Sequence, residues 1–254
     1  MSAGVCMSEA PLQNLVDDAR LAADLAVAST ASLHTELLKR GVRRVFMAGV
    51  ADLARPARRF FGPAVTLRFL PLREDLSSPE SVADPAHPQR RAIDTFPAGH
   101  VLVVDAMGMQ GAGVLGDILA ARLQVRGAAA VVTDGAVRDA ATLAALDMPM
   151  FAGGAAAPAH FATLMAADTG LAIACGGVAV EPGDMIVGDG DGVIVLPRRL
   201  AAVVARAAAE REPLEAFLRQ RVAAGAALPG TYPPDADTLA AYAAHRAVAG
   251  RREE

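Results

Sequence analysis

Two apolar runs, Val101-Leu102-Val103-Val104-Asp105 and Ala128-Ala129-Ala130-Val131-Val132-Thr133, each lead into a turn rich in glycine and aspartate and then into a stretch with helix-like spacing. Runs this short, with no polar alternation, suit strands buried on both faces, as in a parallel sheet whose crossover helices cover it. Shorter apolar runs at 149–152, 171–175 and 177–180 alternate with alanine-rich segments, the pattern of an α/β fold. Neighbouring parallel strands present their carboxyl ends to one crevice, where such folds bind small molecules. Gly116-Asp117-Ile118-Leu119 follows the first run and Asp134-Gly135-Ala136-Val137-Arg138-Asp139 the second, so both are expected at that crevice.

Flanking segments read differently. Residues 11–40 have helical spacing with a break at Ser29-Thr30, and Gly62-Pro63-Ala64-Val65-Thr66-Leu67-Arg68-Phe69-Leu70 reads as a strand with Val65, Leu67 and Phe69 on one face. Residues 71–97 turn to Pro, Ser, Asp and Arg, a long loop with room for a short helix and no assigned chemistry. Met185-Ile186-Val187 and Val193-Ile194-Val195-Leu196 flank Asp191-Gly192, a hairpin turn pair. The acidic run Asp189-Gly190-Asp191 lacks the closing glutamate of a calcium loop and reads as that turn. Residues 197–224 form a charged, alanine-rich helix, followed by Gly230-Thr231-Tyr232-Pro233-Pro234 and a last short helix.

Composition narrows the chemistry. With 254 residues, 53% of them hydrophobic, the chain can bury a substantial core. Its net charge of −4 gives no basic footprint for nucleic acid, and no apolar run approaches the roughly 18 residues of a membrane span. Cys6 and Cys175 make no CxxC pair and no basic-then-apolar leader opens the chain, so a cytoplasmic protein is expected. Lys39 is the only lysine and ends a helical segment before Gly41; a solvated role there leaves no amine for Schiff-base chemistry. A metal ion is then the natural electron sink.

Asp117, in the first turn of a helix, would leave the amides near Ile118 and Leu119 free to bind a carboxylate. Arg138 offers a planar fork for a 2-keto acid and would favour an enolate. Asp139 is a hard oxygen ligand for Mg²⁺ or Mn²⁺, ions often held by one or two carboxylates and several waters. Asp117 would then orient a metal-bound water or relay protons. Structural roles compete: Asp139 as the N-cap of the helix that follows, Asp117 as a favourable first-turn charge, Arg138 as a surface ion-pair partner. A dinucleotide site competes too, because Gly111-Ala112-Gly113-Val114-Leu115-Gly116 spells GxGxxG with Asp134 18 residues later; four residues between Ala106 and Gly111 loosen the tight turn that fingerprint needs. The histidines at 34, 87, 100, 160 and 245 form no HExxH or HxH pair and read as loop or surface residues. Met107 and Met109 read as core or crevice lining, and Cys175 as buried and inert.

Phe61-Gly62-Pro63-Ala64-Val65-Thr66, Val101-Leu102-Val103-Val104-Asp105, Gly116-Asp117-Ile118-Leu119, Asp134-Gly135-Ala136-Val137-Arg138-Asp139, Glu181-Pro182-Gly183-Asp184 and Asp189-Gly190-Asp191-Gly192-Val193 occur in this order. In them the chain resembles the RraA-like proteins, which include class II 4-hydroxy-4-methyl-2-oxoglutarate (oxaloacetate) aldolases. The resemblance covers about residues 30–224. It implies an α/β/α sandwich related to swivelling phosphohistidine domains over residues 30–200, with a helical extension at 1–29 and a helical arm at 201–254 packing on a neighbouring subunit. It also implies trimers or dimers of trimers with the site between subunits, binding a small 2-keto acid rather than nucleic acid or membrane.

By motif, the resemblance makes Arg138 the substrate-binding arginine, Asp139 the metal ligand and Asp117 the holder of metal-bound water. Gly116 and the Ile118 and Leu119 amides would meet the pyruvyl carboxylate. A glutamate from a neighbour's C-terminal helix completes the family site, with Glu215 the best match and Glu212 next. Non-catalytic ribonuclease regulators of the family keep the arginine and lack the following aspartate, so Asp139 points to the enzymes. Departures lie at Arg73-Glu74-Asp75, at Gly154-Ala155-Ala156-Ala157-Pro158 and at Thr231-Tyr232-Pro233-Pro234. They suggest a sister branch that acts on a sugar-derived 2-keto acid by retro-aldol cleavage or dehydration, within a metal-dependent lyase family that cleaves or decarboxylates 2-keto acids through a pyruvate-type enolate.

Overall fold

The computed structural model describes residues 19–250. Two helices come first, α1 (Ala19–Val27) and α2 (Thr30–Lys39), the second capped by Ser29, whose hydroxyl accepts the Ser32 N–H (3.1 Å). The strands are β1 (Phe46–Met47), β2 (Ala51–Asp52), β3 (Phe60–Pro71), β4 (Val101–Asp105), β5 (Ala130–Thr133), β6 (Ala136–Val137), β7 (Met150–Ala152), β8 (Gly154–Ala155), β9 (Leu164–Thr169), β10 (Ile173–Cys175), β11 (Val178–Val180), β12 (Met185–Asp189) and β13 (Gly192–Leu196). Between them lie α3 (Pro88–Asp94), α4 (Asp117–Val125) and α5 (Ala140–Ala144). After β13 come α6 (Ala201–Ala223), the kinked turn α7 (Leu228–Thr231) and α8 (Ala236–Gly250). No described helix is long and apolar enough to cross a membrane.

The main sheet runs β1-β13-β12-β3-β4-β5-β7-β2. β3, β4, β5 and β7 are parallel, as their unbroken apolar runs require. β3 is long enough to serve two partners on one edge, β12 through residues 60–63 and β9 through residues 67–71, while residues 64–68 pair with β4 on the other. The strand at 164–169 has no apolar alternation in Met165-Ala166-Ala167-Asp168, so its sequence carries no strand signal.

Alternation along the strands sorts the core into two faces. Val101 and Val103 of β4, Ala130 and Val132 of β5, and Ile186 of β12 meet on one face. Leu102, Val104 and Val131 point to the other, onto α3 and α4, while Met185, Val187, Ile194 and Leu196 pack on α1, α2 and α6. Along β3, Phe60 and Ala64 face one way and Phe61, Val65 and Leu67 the other, so both helical groups cover the same side of the sheet. The opposite side is closed by the β10–β11 hairpin through Ile173, Cys175, Val178 and Val180. The mixed α/β class stands, but the layers are helices, sheet and hairpin; the expected sandwich with helices on both faces is not what the described residues form. Gly176-Gly177 turns that hairpin at φ +56° and +77°, values a tight hairpin turn needs.

Candidate active site

β4 and β5 lie in parallel register, residues 101–104 opposite 130–133, so the turns after them meet. Backbone joins the two turns. Val114 N–H donates to Ala136 O (2.9 Å), Arg138 N–H to Leu115 O (2.8 Å) and Gly113 N–H to Pro158 O (2.9 Å), while β6 pairs with β8. Residues 113–115 thus run as a short extra strand beside 136–138. A Cβ on Gly113 would lie 2.6 Å from Arg138 Cγ and 2.7 Å from Arg138 N. The second glycine of the apparent dinucleotide fingerprint makes room for the arginine instead.

Asp139 has φ +56° and ψ +37°, a left-handed conformation uncommon outside glycine though more open to aspartate than to most residues. It stands at the N-cap of α5 but makes no side-chain cap there. Its carboxylate turns to the start of α4, with Oδ2 3.4 Å from the Asp117 N and 3.0 Å from where a Gly116 Cβ would stand. Asp117 opens α4 as predicted, and its Oδ1 accepts the Ile118 N–H (2.7 Å). One of the two amides expected to hold a carboxylate is therefore held by Asp117. Arg138 makes no ion pair, and its buried Nε has no partner among the described residues.

Gly116, Asp117, Ile118, Leu119, Arg138 and Asp139 share a cavity of about 250 Å³. Val82, Gln89, Arg90, His160 and Phe161 also line it, none of them anticipated from sequence. The 71–97 segment supplies three of these, because it folds into a 3₁₀ turn at Pro79–Ala83 and then α3. Gln89 is fully buried, donating from Nε2 to Val114 O (2.5 Å) and leaving Oε1 unpartnered. Pro88 at the first helical position marked that helix, but no pattern marks a buried glutamine. His160 is buried, correcting its reading as a surface residue. Burial first, and then His87 and Arg90, push its pKa down to about 4. His87 and His100 are buried as well, while Met107 and Met109 are exposed rather than crevice lining.

Within one chain the C-terminal glutamates stand apart. Glu215 pairs with Arg211 (2.8 Å), and Glu212 accepts the Ser29 N–H (2.9 Å) and hydroxyl (2.7 Å). Burial raises the Glu212 carboxyl, but the Ser29 bonds outweigh it and hold it below its ordinary range. Both line a different cavity, with Arg219 and Tyr232. Among the described residues no group of three or more His, Cys, Asp or Glu could hold a metal ion. Asp134, the ribose ligand of the dinucleotide reading, is occupied by the amides of Ala106 (2.9 Å) and Gly176 (3.3 Å). Lys39 is exposed and pairs with the buried Glu36 (2.5 Å).

The RraA-like family model, described as Aldolase/RraA, matches residues 26–195. The chain belongs to the RraA-like family. Streptomyces coelicolor RraAS2, an unusual member of the RNase ES inhibitor RraA protein family, is 32% identical with a TM-score of 0.71, covering 80% of this chain and 98% of that one. An uncharacterized protein from Pseudomonas syringae pv. tomato is 25% identical with a TM-score of 0.72, covering 84% of this chain and 96% of that one. Among curated proteins, one from Halalkalibacterium halodurans named "Putative 4-hydroxy-4-methyl-2-oxoglutarate aldolase" is 40% identical over 100 residues, 39% of this chain and 47% of its own length. Legionella pneumophila DlpA is 29% identical over 67% of this chain and 26% of its own length. The matches thus span about half or less of these curated relatives.

Proposed function

We propose that this RraA-like protein is a divalent-metal-dependent carbon–carbon lyase, cleaving or decarboxylating a 2-keto acid through a pyruvate-type enolate. The observation that carries this reading is Asp139: a left-handed aspartate whose carboxylate leaves its own helix uncapped and turns to the start of α4, next to an unpaired arginine. A purely structural N-cap would accept the amides of α5.

The donor set suits a hard, hydrated cation. Asp139 is exposed and lines the cavity with Asp117 beside it, and neither has a cationic partner among the described residues. Asp139 would hold Mg²⁺ or Mn²⁺, which when bound supplies charge stabilisation at the keto oxygen. Arg138 would take the substrate carboxylate and keto oxygen and favour the enolate that forms when the C3–C4 bond breaks, its electron pair moving onto C3 and the carbonyl while C4 leaves as carbon dioxide or, once its hydroxyl proton is taken, as a carbonyl compound. Asp117, released from Ile118, would relay the proton that converts the enolate to pyruvate. Glu215 of a neighbouring copy is the proposed partner in that transfer, in a cytoplasmic trimer or dimer of trimers. Pyruvate release from oxaloacetate and from 4-hydroxy-4-methyl-2-oxoglutarate, with and without chelator, tests the reading. Turnover that survives chelation would overturn it.

The likeness to RraAS2 along most of the chain favours a second reading, a non-catalytic regulator on the same scaffold. It predicts no turnover of either compound and a stable complex with a large protein partner.

A further inference from the structure

On the reading just given, the substrate's carboxylate and keto group are held by Arg138 and the start of α4, and the remaining lining of the cavity is still to be assigned. Arg90 lines the same cavity. Its Nε donates to Val82 O (3.0 Å), which fixes the plane of the guanidinium, and it makes no ion pair among the described residues. Arg138, facing the same cavity, likewise has no carboxylate partner. Burial first, and then His87 and Arg90, keep the His160 imidazole neutral at ordinary pH, so it adds no charge but can donate one hydrogen bond. A half-enclosed cavity lined by two guanidiniums with no ion-pair partner among the described residues is complementary to a ligand with two negative groups.

We infer that Arg90 is a specificity-determining residue that binds a second anionic group of the substrate, a distal carboxylate on the 2-keto acid. The 71–97 segment, through α3, then sets which 2-keto acid is accepted, while Arg138 and Asp139 serve the part common to all of them. Phe161 and Val82, lining the same cavity, would cover the carbon chain between the two anionic groups and strengthen both contacts by excluding water.

Titration calorimetry with Mg²⁺ present separates the two contacts, using pyruvate as the mono-anion and 2-oxoglutarate as a keto dicarboxylate with no C4 group to lose. The wild-type protein should bind 2-oxoglutarate about tenfold or more tighter than pyruvate, the scale of one charge-assisted contact. Arg90→Gln should remove most of that preference and change pyruvate binding by less than about twofold, with Arg90→Lys intermediate because it keeps the charge without the fork. Arg138→Gln should weaken both ligands. Wild-type binding of pyruvate with equal or weaker binding of 2-oxoglutarate overturns the role of Arg90 and leaves the lyase reading standing. So does an Arg90→Gln protein that weakens both ligands alike or neither. Binding of neither ligand by the wild-type protein sinks the lyase reading and this inference together.

Discussion

Gly113→Ala tests how the site is held without removing any charged group. The new Cβ would stand 2.6 Å from Arg138 Cγ, 2.7 Å from Arg138 N and 2.9 Å from the Val137 carbonyl carbon, whereas carbon atoms in contact settle at about 3.5–4.0 Å. Two of those three atoms are backbone, so turning the Arg138 side chain does not relieve the clash; residues 137–138 must retreat by roughly 1 Å. Overpacking of this kind costs about 1–3 kcal/mol. For a chain of this size that lowers Tm by roughly 2–12 °C. The functional loss should be larger in proportion, since a ~1 Å misplacement of a positioning group can cost on the order of 100-fold. Gly111 has nothing within 4 Å of an added Cβ, so Gly111→Ala is the control, with near wild-type melting and turnover. Thermal melts and metal-dependent pyruvate release from oxaloacetate, measured on both variants, decide the matter. A Gly113→Ala protein with wild-type Tm and turnover would refute the claim that this glycine seats Arg138.

Other expectations are independent of that one. Arg138→Ala and Asp139→Ala should each lower metal-dependent pyruvate release by about 100-fold or more while leaving oligomer size by light scattering unchanged; full activity in Asp139→Ala would remove the metal from its proposed ligand. Co-expressing Glu215→Gln with Arg138→Ala should restore part of the activity that each lacks alone, because mixed oligomers regain some intact sites if Glu215 acts across the subunit boundary; no recovery in oligomers shown to be mixed counts against Glu215. His160, ordinarily near 6.5, is held at about 4 by burial and by His87 and Arg90, so the unfolded chain takes up a proton that the folded one refuses. Stability should therefore fall as pH drops from about 6.5 toward 4, by up to about 3 kcal/mol, and His160→Phe should flatten that part of the Tm–pH curve. Asp52 behaves like an ordinary paired carboxylate: burial raises it, but the Arg58 guanidinium and the amides of Arg58 and Ala54 win and hold it below its usual value. Its stabilisation is present above the ordinary carboxylate range and is lost as pH falls through it, while Arg58→Ala, which strands a buried charge, should cost roughly 3 kcal/mol in urea melts at pH 7.

What the sequence disclosed, and what it hid, follow from the range of the interactions involved. Fully buried parallel strands advertise themselves through unbroken apolar runs, and helix starts through local chemistry, so β4, β5, α2 and α4 could be placed from residues close together in the chain. The side of the sheet that a helix covers is not local. That depends on which face of β12 and β13 receives α6, and nothing in Val193-Ile194-Val195-Leu196 distinguishes its two apolar faces. The cavity-lining residues outside the two motifs escaped for a related reason: Gln89, Arg90 and His160 are polar residues in Pro-rich or irregular stretches, where composition predicts exposure, yet Gln89 and His160 are buried and Arg90 half-buried, with Gln89 tied to the 113–115 strand through Val114 O.

The same reasoning explains why Asp139 could be noticed but not decided. An aspartate before an alanine-rich helix satisfies the N-cap rule, and the sequence cannot show that the chain bends there into the left-handed region, at φ +56°. That bend swings the carboxylate off α5 and toward α4. A non-glycine residue is retained in such a conformation only when its surroundings over-determine it. Here the surroundings are the Arg138 N–H bond to Leu115 O, the Leu143 N–H bond to Asp139 O, and the small cross-strand unit that brings Gly113 under Arg138. The backbone holding the arginine therefore also aims the aspartate, and Gly113→Ala should disturb both together, whereas Asp139→Gly should keep the fold and Arg138 in place and lose only the carboxylate.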